Sequence, residues 1–136
     1  MKTAAVSYIE REDGRLLVVW NKRYGGWSMP GGMVEKWETV EQAQERELFE
    51  ETGLNTLSQE VLYEGSHGIP SSDASRASHV TLFRVTYEGV PREHEVGCPV
   101  TWMTRDEFLK WSPFAPFYVK VFDMIPPATW APEAFE

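Results

Sequence analysis

A chain of 136 residues with 42% hydrophobic and 25% charged side chains has the size and composition of one globular domain, which argues against two domains and against a disordered segment. Its net charge of −8, from 21 acids against 13 bases, argues against a general partner for polymeric nucleic acid, whose affinity comes from clustered Lys and Arg releasing counterions. No apolar run approaches the ~18 residues of a membrane span, the acidic start is not that of a signal peptide, and the lone Cys98 supplies neither a disulfide framework nor a thiolate metal site. These exclusions predict a soluble cytoplasmic protein, monomeric or homodimeric, with no membrane partner. A single nucleotide stays within reach, because its phosphates can be met through a bound cation.

In chain order, Ala4–Ile9 and Leu16–Trp20 read as two strands of a β-hairpin turned at Asp13-Gly14, the second apolar on both faces and therefore buried on both. Tyr24–Gly32 holds four glycines and Pro30 and reads as a loop of tight turns. Thr39–Thr52 reads as a helix: Thr39 and Gln42 form a capping box, Glu41 lies in the first turn, and Gly53 takes the C′ stop. Leu54–Tyr63, Ser78–Tyr87 and Pro99–Met103 read as strands. A change of apolar phase between Leu82 and Phe83 suggests a bulge in the middle one. Thr104 with Glu107 opens a short helix towards Trp111, and Phe117–Met124 forms a last helix halted by Pro126-Pro127, before a Pro-rich tail to Glu136. This order predicts a single domain over 1–136, an α/β (α+β) sandwich with a helix on each side of a sheet.

Residues 35–51 carry seven acids and two bases. On a helix, Glu47, Glu50 and Glu51 share an arc of about 100° with the apolar Val40, Ala43 and Leu54. Like charges at i,i+3 and i,i+4 cost about 0.2–0.5 kcal/mol per pair when exposed, and more when turned inwards. A solvated acidic face is the ordinary explanation for such a run. Acids on an apolar arc call instead for a cation. Mg²⁺ suits the position, because it takes a few carboxylates, keeps waters and accepts substrate phosphates.

The spacing adds a family resemblance. Gly32, five residues, Glu38, seven residues, then Arg46-Glu47-Leu48-Phe49-Glu50-Glu51-Thr52-Gly53-Leu54 resembles the signature of the Nudix (MutT-like) hydrolases at all nine specified positions. Chance agreement is on the order of one in 10¹⁰ per start position at average residue usage. The lead-in Trp27–Gly32 is similar as well. The resemblance implies a Nudix α/β/α sandwich with a mixed sheet. It implies hydrolysis, dependent on Mg²⁺ or Mn²⁺, of a nucleoside diphosphate linked to another moiety. A nucleoside triphosphate giving the monophosphate is the first reading. ADP-ribose or a dinucleotide polyphosphate is the alternative, and a catalytically silent nucleotide-sensing module is a third. By position, the metal ligands would be Glu47, Glu50, Glu51 and the Gly31 carbonyl. Arg46 would hold Glu47, and Glu38 would orient the loop or align water. Glu47 and Glu50 are equal candidates for the base. Gly32 would let the backbone come close to substrate. Trp37 and Gln44 depart from the family's small residues there, which bears on loop shape and helix packing.

Glu95 matches the place of an additional metal-binding or base carboxylate in the family, against the plainer reading of a solvated loop acid. Tyr24, Trp27 and Trp20 are candidates for stacking on a base, although aromatic rings more often pack in a core. Pro70 stands 16 residues beyond the motif, a spacing seen in ADP-ribose-type members. His67, His79 and His94 lack ligand spacing, and Cys98 reads as a small buried residue rather than a nucleophile.

Overall fold

The chain builds its elements in the order β1 (Thr3–Tyr8), β2 (Leu16–Asn21), β3 (Gly26–Ser28), β4 (Gly31–Met33), α1 (Val40–Thr52), β5 (Asn55–Ser66), β6 (His79–Glu88), β7 (Val100–Met103), α2 (Arg105–Trp111) and α3 (Ala115–Met124). The computed structural model describes residues 2–66 and 79–125; His67, Pro70, the start of the strand expected from Ser78 and the tail from Pro126 lie outside them. None of the described helices is long and apolar enough to cross a membrane.

The strands form two sheets. One runs β4-β1-β6-β5, with β1 and β6 parallel and the other pairs antiparallel; the second, β3-β2-β7, is antiparallel. The expected hairpin therefore exists only at its tip, where Glu10 bridges Leu16 and the Leu17 amide donates to the Ile9 carbonyl at 3.0 Å. Beyond that point β1 and β2 enter different sheets. Alternation along the strands explains why. Leu16 and Val18 join Tyr8, Val80 and Leu82 under α2 and α3, whereas Leu17 joins Ala5, Phe83 and Val85 under α1. The result is an α/β/α sandwich with a hydrophobic cluster on each side.

Three further expectations are corrected. The glycine-rich stretch is not all loop: it contains β3 and β4. The irregularities lie in β5, between Thr56 and Ser58 and between Val61 and Tyr63, not in β6. The run Val80–Phe83 in β6 changes phase because the strand is central, with all four residues buried and both faces covered. Finally, α3 starts at Ala115, two residues ahead of Phe117, with a proline in its first turn where the missing N–H costs no helical hydrogen bond.

The helix that matters most is set by local chemistry. Thr39 and Gln42 form the full capping box of α1, and Gly53, at φ +76°, closes its end with its amide on the Phe49 carbonyl at 2.8 Å. Ala43, Leu48 and Leu54 are fully buried against β1 and β6. A buried leucine contributes on the order of 1.5–3 kcal/mol, so this face holds the helix in place. Trp37 points to solvent at 73% exposure and does not disturb that packing.

Gln44 is also fully buried, with its amide nitrogen donating to Ser7 Oγ at 2.9 Å and Thr56 Oγ1 at 3.0 Å, while its carbonyl accepts from Gln59. A small apolar residue there would leave those groups unpaired. Gln44→Leu keeps the volume but removes the amide, and should cost about 1–3 kcal/mol. A melting temperature equal to or above that of the parent protein would refute the network's contribution.

Candidate active site

Between β4 and α1 the chain doubles back so that Glu38 faces the helix ahead of it. Glu38 Oε1 accepts the Glu35 amide at 2.9 Å, and its side chain is only 1% exposed. Arg46, further along in α1, reaches back and grips it with two donors, Nε on Oε2 at 3.0 Å and Nη2 on Oε1. The same guanidinium donates to the Met33 carbonyl at 3.0 Å and, through Nη1, to Glu47 Oε1 at 2.6 Å. Its contact with Glu50, the i,i+4 pair that a surface helix would show, is the longest at 3.3 Å and involves a carboxylate half exposed to solvent. Arg46 is thus a bridge between loop and helix, and Glu38 is its main partner. Sequence periodicity could not pair them, because Glu38 lies before the helix and eight residues away.

Glu47 and Glu51 turn towards β4. Glu51 Oε1 accepts the Gly31 amide at 2.9 Å. A Cβ at Gly32 would strike the Glu47 carboxylate, 2.7 Å from Oε2, and one at Gly31 would lie 2.9 Å from Val6 Cα of β1. These glycines therefore give the strand pair and the carboxylate room to approach. Burial raises the Glu51 carboxyl well above the ordinary glutamate range, opposed by the Gly31 amide and reinforced by the charges of Glu47, Glu95 and Glu50. Burial also raises Glu47, with Arg46 opposing and Glu50 and Glu95 adding to the rise. Glu38 moves the other way, held low by the Arg46 hydrogen bonds.

Glu95 is exposed in the segment between β6 and β7, yet its charge acts on both Glu47 and Glu51. The structure thus groups Glu38, Arg46, Glu47, Glu50, Glu51, Gly31 and Gly32 along α1 and the strand β4 beside it, with the charge of Glu95 acting on them from the β6–β7 segment. Among the described residues no three His, Cys, Asp or Glu side chains stand at metal-binding spacing; Glu47 is bonded to Arg46 and Glu51 to the Gly31 amide. The donor set itself, all carboxylate oxygens repelling one another, fits a hard divalent cation. The aromatic candidates sit elsewhere in the packing. Trp27 lies on the α2/α3 cluster and edge-on to Trp20 at 5.4 Å, and Tyr24 lies edge-on to Phe114 at 4.8 Å. Cys98 is buried and its thiol is pushed up to about 11 by burial and by Glu95, so it is no nucleophile.

Comparison with known proteins gives the family and the fold. The family model of the NUDIX domain matches residues 1–124. A "MutT-like protein" of Streptomyces ambofaciens is 35% identical over 100 residues, 73% of this chain and 61% of that protein. An "RNA pyrophosphohydrolase" of Histophilus somni (strain 2336) is 48% identical over 52 residues, only 37% of this chain and 27% of the relative. The chain thus matches less than two thirds of the length of either relative. A solved structure described as MutT from Aliivibrio salmonicida and Vibrio cholerae shares the fold, with a TM-score of 0.69 at 24% identity over 91% of this chain and 98% of that one. The chain belongs to the NUDIX domain family.

The electrostatics of the cluster can be tested at two residues. Because the folded-state Glu51 carboxyl is raised above its unfolded value, its contribution to stability is present at acid pH and lost as pH rises through the folded value. Glu51→Gln, which can still accept the Gly31 amide, should therefore raise the melting temperature in chelator at pH 8 and have little effect near pH 4. Equal shifts at both pH values would overturn the assignment. Arg46→Lys should lower the melting temperature, since an ammonium cannot reproduce the forked grip on Glu38; an unchanged value would mean that the bridge contributes nothing.

Proposed function

We propose that the chain is a divalent-metal-dependent pyrophosphohydrolase. It cleaves a pyrophosphate bond in a nucleoside diphosphate linked to another moiety, a nucleoside triphosphate first among them, and releases a nucleoside monophosphate. The observation that carries this reading is the enclosure of Glu47 and Glu51 together against β4, each with its carboxyl raised by burial and by neighbouring negative charge. A surface acidic helix would not enclose them.

Glu47, Glu50 and Glu51, with Glu95 from the β6–β7 segment, would hold Mg²⁺ or Mn²⁺. When bound, such an ion neutralises charge on the pyrophosphate oxygens and makes an attacking water more acidic. The protein's own residues do the rest. Arg46 fixes Glu47 through Oε1 and leaves Oε2 to accept a proton from water, whereas Glu50 is half exposed and held only by the longer 3.3 Å contact. The Gly31 amide fixes Glu51. Glu38 keeps the guanidinium in place, so that the whole assembly is set before substrate arrives. Trp27 and Tyr24, within the glycine-rich stretch, are the candidates for contact with the base.

The name carried by the Histophilus somni relative raises RNA ends as substrates, but that similarity covers 52 residues and the net charge of −8 favours free nucleotides. The deciding experiment is a panel of nucleoside triphosphates, ADP-ribose, dinucleotide polyphosphates and 5′-triphosphorylated RNA with Mg²⁺ or Mn²⁺, with products separated by chromatography. Monophosphate should appear from free nucleotides, vanish in excess chelator, and fall at least about 100-fold in kcat with Glu50→Gln or Glu51→Gln. Undiminished hydrolysis in chelator, or no hydrolysis of any member of the panel, would overturn the proposal.

A further inference from the structure

The last turn of α1 carries no basic side chain, although its terminal carbonyls form the negative end of the helix dipole and need donors. Segment 89–98 supplies two. The Arg92 amide donates to the Thr52 carbonyl at 3.0 Å, and Nδ1 of His94 lies 2.9 Å from the Glu50 carbonyl. A carbonyl only accepts, so His94 Nδ1 carries the hydrogen. The His94 ring stands edge-on to Phe49 at 5.0 Å, and the Arg92 guanidinium occupies the space a Cβ at Gly53 would take.

At the other end of the segment, Lys22 Nζ donates to the Val96 carbonyl at 3.0 Å, and the Cys98 thiol donates to Glu95 Oε2 at 2.9 Å. Between these anchors stands Glu95, whose charge reaches Glu47 and Glu51. Apolar burial holds the segment only at its end, at Cys98: Val90 is 79% and Val96 86% exposed, and residues 92–97 are all exposed. Ahead of Cys98 it is placed by polar contacts, to α1 through Arg92 and His94 and to Lys22 through the Val96 carbonyl.

We propose that His94 and Arg92 are positioning residues that dock segment 89–98 on the end of α1, and thereby hold Glu95 against the helix carboxylates as part of one cation-binding cluster. The inference rests on the reading of that cluster as a divalent-cation site. It gives the end of α1 a second role, since the helix carries three of the carboxylates and also sets where the fourth stands. It also gives Gly53 two reasons to lack a side chain, the left-handed cap at φ +76° and the seat for Arg92.

The test is Mn²⁺ binding by the full chain, read by electron paramagnetic resonance, with nucleotide hydrolysis measured in parallel. His94→Ala should weaken Mn²⁺ binding about 10-fold, as loss of a group that orients a ligand commonly does. His94→Phe keeps a ring against Phe49 but has no donor, and should weaken binding equally, which keeps the test open if His94→Ala folds poorly. His94→Asn places its amide donor where Nδ1 stands and should restore binding to within about twofold. In a Glu95→Gln background, His94→Ala should add less than about twofold, because the carboxylate it positions is already gone. Full additivity, no rescue by asparagine, unchanged binding in both donor-less variants, or no Mn²⁺ binding by the parent protein would each overturn the proposal. A parent protein that shows this binding pattern yet hydrolyses no nucleotide leaves the docking role standing and overturns only the proposed reaction.

Discussion

Two carboxylates one helical turn apart, Glu47 and Glu51, are pressed into the space between α1 and β4, and most of the surrounding structure answers to that constraint. Like charges in a partly dry setting repel more strongly than in water. The chain offsets this with one guanidinium and one backbone amide. It removes side chains at Gly31 and Gly32 so that the carboxylates and strands can approach. The offset is incomplete, which is why both carboxyls stay raised. A fold optimised for stability alone would not place them there, and this is what supports the proposed cation site.

The rest of the architecture fixes α1 in position and orientation. Ala43 and Leu48 bury one side of the helix against the sheet, with Leu54 just beyond its end, and the acids occupy the margin of that same side. Arg46 then ties the helix to the loop before it, through Glu38 and the Met33 carbonyl, while segment 89–98 ties off its end. Rotation of α1 about its axis would break all of these contacts together. Helix packing and site geometry are therefore coupled, and the buried Gln44 network adds polar contacts that hold the helix in a single register on β1 and β5.

The relatives divide along the same line. High local identity with an RNA pyrophosphohydrolase is confined to 52 residues, while the family model and the solved fold extend over most of the chain. Chemistry that depends on a few carboxylates at set intervals can be shared by proteins that differ in the surfaces around them. Here those surfaces include the Trp20–Trp27 pair, Tyr24 against Phe114, and segment 89–98.

The sequence by itself determined the features whose causes lie within one turn or one motif. The caps of α1 and α2 came from Thr39 with Gln42 and Thr104 with Glu107, three positions apart, and from Gly53 in its left-handed turn, because capping is local. The grouping of Glu47, Glu50 and Glu51 came from helical period, and the family from the spacing of Gly32 to Leu54. Tertiary structure alone decided that β1 and β2 separate into two sheets and that the irregularities fall in β5. It alone paired Arg46 with Glu38, used Gly32 to admit a carboxylate, and laid Arg92 and His94 on the end of α1. Each of these joins groups whose separation along the chain has no fixed relation to their separation in space. Only the packing of the two hydrophobic clusters, which chooses which face of each element turns inwards, could bring them together.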